Sequence, residues 1–407
     1  MRRASTILAL ILAGECVYTL PYALRREFSP AIVETWGITQ LQLGLLSSLF
    51  GVFALLCYFP GGWMADRFSA RALLSFSLMA TGGVGLGLLA HPGFGFLLVI
   101  YALWGVTSIL TFWAALIKAT RSWGGAEAQG LAFGLLDGGR GVVAAVLAYV
   151  AAETFAALGG DRPGLDGVVV LYAGMGFVAG LFVLATLPAD EAGGPETGGL
   201  QQGQLKQVLR MPIVWLQAVV IFTAYAGYWG TYDIAGYAVD GHGLSQADAA
   251  RLSALALWLR PIAAIGAGFI ADRVGALRSI EGSFALLGLG MLSLAALSPD
   301  SLLVYAAQAA VICAAVSALR GLYYAVMEEA SIPMALTGTT VGVVSVLGYT
   351  PDVLIPPTQG ALLDAFPGAT GHRLFFALLT MLAVVGLTAT RLARRLKAAA
   401  ESAVNLS

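Results

Sequence analysis

The chain has 407 residues, of which 58% are hydrophobic and 11% charged. Soluble domains carry about a quarter charged residues, so this composition excludes an ordinary cytosolic enzyme, and its apolar content excludes disorder. Twenty-two Lys and Arg against 23 Asp and Glu leave a net charge of -1, which excludes a general electrostatic preference for nucleic acid.

About twenty apolar residues cross a bilayer. Twelve such runs follow in chain order, near residues 5–33, 41–62, 72–91, 94–120, 130–157, 167–187, 211–239, 248–270, 279–297, 301–328, 336–365 and 372–392. The first follows Arg2 and Arg3 in the order of a signal peptide. Glu15 interrupts its small-residue box and eleven runs come after it, so it reads as an uncleaved helix. Asp190 to Arg210 is the one long polar, Gly-rich stretch and reads as a linker. The expected fold is an all-α polytopic membrane protein of twelve transmembrane helices in two pseudo-symmetric six-helix bundles. Residues 1–187 form the first bundle, 188–210 a cytoplasmic linker, and 211–407 the second bundle with a short cytoplasmic tail.

With both termini inside, thirteen of the 22 Lys and Arg fall in cytoplasmic segments and three outside. That asymmetry predicts cytoplasmic ends. Cys16, Cys57 and Cys313 lie singly in apolar runs, which fits neither a disulfide framework nor a zinc site. No metal and no cofactor is expected. The chain lacks G-x-x-x-x-G-K-[ST], H-E-x-x-H and G-x-S-x-G, so an enzyme is not expected either.

The two halves repeat. Gly62-Trp63-Met64-Ala65-Asp66-Arg67 and Gly268-Phe269-Ile270-Ala271-Asp272-Arg273 lie 206 residues apart. The same offset aligns Gly37, Gln40 and Ser47 with Gly243, Gln246 and Ser253. Such duplication is typical of transporters, whose substrates bind near mid-membrane between the repeats. Twelve runs, a central linker and G-x-x-x-D-R-x-x-x-R from Gly62 to Arg71 resemble the major facilitator superfamily, with Ser69 where the signature usually has Gly. The resemblance implies a cytoplasmic gate formed by Asp66, Arg67, Arg71, Asp272 and Arg273. The alternative is that these charges only enforce topology.

Ionisable residues inside spans cost about 2.5–3.5 kcal/mol each on insertion scales and mark cavities or pairs. The basic set is Arg25, Arg26, Lys118, Arg140, Arg260 and Arg320; acids include Glu15, Glu27, Asp137, Glu153, Asp233 and Asp352. Arg140 lies about 15 Å into its span at 1.5 Å per residue, near the midplane. Asp137, at i−3, is its local partner. Arg26 and Glu27 read as outer-interface residues that snorkel, and span 8 must break at Arg260-Pro261. Arg25, Lys118, Arg140 and Arg320 are expected to converge on one cavity, with Tyr22, Tyr228 and Tyr323 reading the substrate body. His91, His242 and His372 read as loop residues outside the membrane, so carboxylates carry any proton coupling, Asp233 first and Asp137 second.

Tyr22 to Phe28 resembles the first-helix motif of the organophosphate antiporters, and that resemblance implies that Arg25 contacts an anionic head. Their second arginine, in helix 7, is missing here. Arg320 to Tyr324 and Gly348 to Asp352 look like a side branch associated with sugar acids, sulfonated sugars or dicarboxylates. The expected function is secondary active transport of a small organic anion by alternating access, as antiporter or symporter. The expected partners are the anion, a coupling ion or counter-anion and the lipid bilayer, with the chain monomeric in a bacterial inner membrane. The alternatives are efflux of drugs or neutral solutes, and a transporter-like solute sensor.

Overall fold

The computed structural model describes residues 2–124, 129–188, 202–297, 301–323 and 337–405. Every regular element among them is helical. In chain order these are α1 (Arg2–Cys16), a π turn (Thr19–Ala23), α2 (Leu24–Trp36), α3 (Gln40–Arg67), α4 (Ala70–Leu86) and α5 (Phe94–Ile109). There follow α6 (Trp113–Gly124), α7 (Gln129–Ala157), α8 (Arg162–Thr186), α9 (Gln202–Leu209), α10 (Pro212–Gly230) and α11 (Ile234–His242). The remainder are α12 (Gln246–Leu257), α13 (Leu259–Val274), α14 (Ala276–Ala296), α15 (Leu302–Leu322), α16 (Thr337–Gly348), α17 (Pro351–Ala365) and α18 (Ala369–Asn405). Of the linker 188–210, residues 189–201 lie outside the described residues.

Eleven helical stretches among the described residues are long and apolar enough to cross a membrane. Twelve were expected. The run 336–365 lies partly outside the described residues; its described part divides into α16 and α17 around Tyr349 and Thr350 ahead of Pro351, a residue that cannot donate to the preceding turn. Four other runs are also discontinuous. The first carries the π turn, the fourth breaks between Ile109 and Trp113, and the seventh breaks between Gly230 and Ile234. Span 8 breaks at Trp258, which leaves Pro261 in the first turn of α13, where its missing N–H costs nothing. Apolar side chains point outward along the spans; Leu303 is 78% exposed, as a lipid-facing residue would be.

The chain packs as two compact units, and their borders do not follow the linker. Unit 1 comprises Met1–Glu196, Ile234–Trp258 and Pro356–Asp364. Unit 2 comprises Thr197–Asp233, Leu259–Ile355 and Ala365–Ser407. Unit 1 is built on buried Leu10, Leu46, Leu78, Trp104 and Val168. Its later segments join through small residues: Ala145 and Ala148 of α7 cluster with Ala254 and Leu257 of α12. α17 meets α3 main chain to main chain, because a Cβ at Gly44 would lie 2.7 Å from Pro357 Cα, and one at Gly360 would lie 2.6 Å from Leu41 Cα. Small residues let helices approach this closely in a membrane. In unit 2, α18 packs along both α14 and α10, and α15 along α13 and α14.

The repeated segment at an offset of 206 residues has a local physical meaning. α2 ends on Gly37 at φ 60, and α11 is followed by Gly243 at φ 67, a left-handed conformation that glycine adopts without strain. Two residues later Thr39 caps α3 by accepting from Gln42 N, with Gln42 reciprocating. Ser245 caps α12 by accepting from Asp248 N. The duplication therefore encodes the same helix-end, helix-start turn twice.

Candidate substrate site and gating residues

Unit 2 gathers an aromatic cage around Arg320. Tyr225, Tyr228, Trp229 and Tyr232 recur at i, i+3, i+4 and i+7, so α10 and the turn after it present them as one stripe. Tyr228 packs tilted against Tyr225 and edge-on against Tyr232, with ring centroids 5.7 and 5.4 Å apart. Arg320, in the last turn of α15, places its guanidinium carbon 4.2 Å from the Tyr228 ring centre and 5.8 Å from that of Tyr225. Tyr225 also packs 5.0 Å from Tyr349, whose hydroxyl is 3.3 Å from that of Tyr323. The cage includes an acid. Asp352 accepts from Tyr225 Oη at 3.2 Å and from Trp229 Nε1 at 3.0 Å. It sits in the first turn of α17, where the helix dipole favours a carboxylate.

One turn from the cage, Asp233 meets His372. The imidazole Nδ1 lies 2.9 Å from both carboxylate oxygens, and the two side chains are only 1% and 2% exposed. This corrects the expectation that all three histidines sit in outside loops. α18 starts at Ala369, just past the left-handed Gly368, and so draws His372 into its first buried turn. The carboxylate expected to act alone has an imidazole partner.

Unit 1 gives its three expected substrate cations three different sets of partners. Arg25 is buried and donates to Ser47 Oγ, to Leu43 O at 3.4 Å and to Gln359 Oε1 at 3.1 Å. Lys118 donates to Ala65 O at 2.7 Å, in the last turn of α3, the favourable place for a cation on a helix. Arg140 runs its side chain over Gly14, where a Cβ would lie 2.9 Å from its Cδ. Its Nε is 3.5 Å from Glu15 Oε2 and its Nη1 is 4.0 Å from Asp137 Oδ1. Glu15, on another helix, is therefore its nearer acid. Lys118 is thus held at a helix end and Arg140 beside a carboxylate. Tyr22 packs edge-on against Phe50, centroids 4.9 Å apart.

Arg26 and Glu27 are likewise corrected. They are 4% and 1% exposed and paired at 2.7 Å, so neither snorkels; the kink at Phe28, ahead of Pro30, turns this part of α2 inward. Among the expected gate residues, Arg67 is exposed and stacks 4.1 Å from the ring centre of Trp63. Asp272 and Arg273 are exposed, and Arg71 is half-buried beside Ser69, which caps α4 through Ala72 N. The side chain of Asp66 lies outside the described residues.

Tyr225, Tyr349, Asp352, His372 and Gln359 were not singled out as site residues from the sequence. Spacing alone could have supplied Tyr225, which completes the α10 stripe. The others meet their partners only across more than twenty residues of chain.

Comparison with known proteins agrees with this architecture. A model of the Major Facilitator Superfamily matches residues 16–356. The Escherichia coli (strain K12) inner membrane protein YqcE is 28% identical over 383 residues, covering 91% of this chain and 90% of YqcE. Inner membrane protein YihN of the same organism is 27% identical over 403 residues, covering 93% and 92%. Among solved structures, a bacterial homolog of the human lysosomal transporter Spinster, in an inward-facing and unoccupied conformation, superposes with a TM-score of 0.76. It is 16% identical, with 97% of each chain covered. A variant of the nucleoside transporter NupG also gives 0.76, at 11% identity, covering 97% of this chain and 100% of that one. With a family match across most of its length and a helical fold of membrane-spanning stretches, the chain belongs to the Major Facilitator Superfamily of transporters.

Proposed function

We propose that this transporter carries a small organic anion by secondary active, alternating-access transport. The observation that carries the reading is Arg320, half-buried and stacked on Tyr228 within a cage of phenols. A guanidinium fixed in this way offers charge-assisted, bidentate hydrogen bonds to a carboxylate, sulfonate or phosphate head. Tyr228 and Tyr323, with Tyr225 and Tyr349, suit a polar body. Arg25, in unit 1, offers an anionic head the same kind of contact in a state where Gln359 leaves its guanidinium, with Tyr22 alongside. Lys118 and Arg140 hold the framework.

The two six-helix halves, 1–187 and 211–407, rock about this site with both termini cytoplasmic, in a bacterial inner membrane and as a monomer. Asp66, Arg67, Arg71, Asp272 and Arg273 gate the cytoplasmic side. Asp233, and after it Asp137, are the carboxylates through which an ion gradient couples. Uptake of labelled gluconate, sulfoacetate and glycerol 3-phosphate into proteoliposomes under pH, Na⁺ or counter-anion gradients tests the reading. Transport of at least one, lost in Arg320→Ala, supports it. A second reading rests on Asp352: a carboxylate inside the same aromatic cage also suits a neutral, hydroxyl-rich solute, in keeping with the fold likeness to a nucleoside transporter. Uptake of labelled uridine with none of the anions would favour that reading.

A further inference from the structure

We infer that Asp233 and His372 form a proton-operated clasp, so that the coupling ion is a proton carried by an imidazole–carboxylate pair. The inference rests on the transport reading above for its purpose, but its chemistry stands on the pair itself. Two residues 139 positions apart meet with Nδ1 2.9 Å from both carboxylate oxygens. Apolar side chains lie nearby: Met291 of α14 and Leu379 of α18 crowd Gly230, three residues from Asp233, and Phe375 and Phe376 are buried on α18.

Histidine changes charge between about pH 5 and 8. With the imidazole protonated, the pair is a neutral ion pair that tolerates burial. With the imidazole neutral, Nδ1–H still donates, but one negative charge is left in an apolar pocket, which is costly. Proton uptake therefore holds the clasp shut, and proton loss favours its opening to water.

The position suits such a device. Asp233 is the last residue of unit 2 before the chain passes into unit 1 at Ile234, and His372 follows the last passage, at Asp364 to Ala365. The pair thus ties together two places in unit 2 where the chain changes unit. It also adjoins the cage: Trp229, which donates to Asp352, packs 4.5 Å from Tyr232.

Other charged and titratable groups lie on the packing elements. On α10, Tyr225 and Tyr228 belong to the cage. On α14, Glu281 pairs with Arg394 at 2.7 Å, and Arg278 lies one turn before it. Arg373, next to His372, donates to Ala295 O and Ala296 O at the end of α14. Asp240 and His242 of α11 belong to unit 1.

The chain has three histidines, so the imidazole ¹⁵N spectrum of the full-length protein in nanodiscs contains three ring systems. His91→Gln and His242→Gln assign His372 without touching the pair. The expected result is one protonation step of His372 between pH 8 and 5, with its midpoint moved by about a unit or more in Asp233→Asn. An imidazole that keeps one state from pH 5 to 9, or an unmoved midpoint, overturns the clasp. With whichever anion of the panel is carried, His372→Gln should keep anion exchange and lose at least tenfold of the acceleration by a pH gradient. Full acceleration in that variant also overturns the inference. If no panel anion is carried, the anion reading fails while the titration still decides the clasp.

Discussion

Gly360→Ala probes the closest helix crossing in unit 1. A Cβ there would lie 2.6 Å from Leu41 Cα, with the Gln40 carbonyl also in its way. Non-bonded carbons prefer about 3.5–4.0 Å, so α17 must back away from α3 by about 1 Å. The obstruction is main chain, which cannot rotate aside. The same shift stretches the two bonds by which Asp364 accepts from Gln40 N at 3.0 Å and Leu41 N at 2.8 Å. Overpacking of this kind costs about 1–3 kcal/mol, and the helix preference of alanine over glycine offsets up to about 1 kcal/mol of it. A net cost of about 1–2 kcal/mol lowers the docked population of this crossing about five- to thirtyfold. Hydrogen exchange at the Gln40 and Leu41 amides reads it directly, because Asp364 is their acceptor and they are the first amides of a helix, which have no partner within it. Gly174→Ala, in α8 with open space around its Cβ, is the control and should leave those amides protected. Equal protection in Gly360→Ala and the parent protein would refute the claim that the glycine is there for close approach.

Glu15→Gln removes the nearer carboxylate from a mostly buried Arg140. A cost of about 3 kcal/mol should appear as a fall of several degrees in unfolding temperature in detergent, and an unchanged transition would mean that Asp137 suffices. Arg320→Lys keeps the charge but loses the planar group that stacks on Tyr228; affinity for a carried anion should fall about tenfold or more, measured by competition in uptake. Burial of His242, beside Tyr237 in α11, holds its imidazole below the ordinary histidine value. The unfolded chain therefore takes up this proton more readily, so stability falls as pH drops through about 6.5. His242→Gln should flatten that part of a thermal-stability profile between pH 7.5 and 5, and an unaltered slope would assign the acid loss to other groups.

Much of the architecture was legible from the chain alone, for physical reasons. A run of twenty apolar residues has few options other than a membrane helix, because its backbone must satisfy itself where water is absent. The signature at Gly62 to Arg71, the linker composition and the repeated Gly–x–Ser/Thr turn are likewise local, so spacing exposes them. Arg320 and Tyr228 could be named for the same reason: a cation and an aromatic ring in apolar spans stand out wherever they lie.

What only the tertiary structure decided was which of these residues meet. Arg140 takes Glu15 across two helices in preference to Asp137 on its own, because helix packing brings the distant carboxylate 3.5 Å from its Nε. Lys118 turns to the end of α3, and Arg25 to Ser47 and Gln359, since each buried cation is held by the acceptors its neighbours happen to offer. His372 stood at the edge of a hydropathy window and looked like a loop residue. A helix that starts at Ala369 and packs along α10 buries it against Asp233. Composition and periodicity report what a segment can tolerate around it. Partnership depends on the rotation and depth of each helix relative to its neighbours, and those are set by packing over the whole unit.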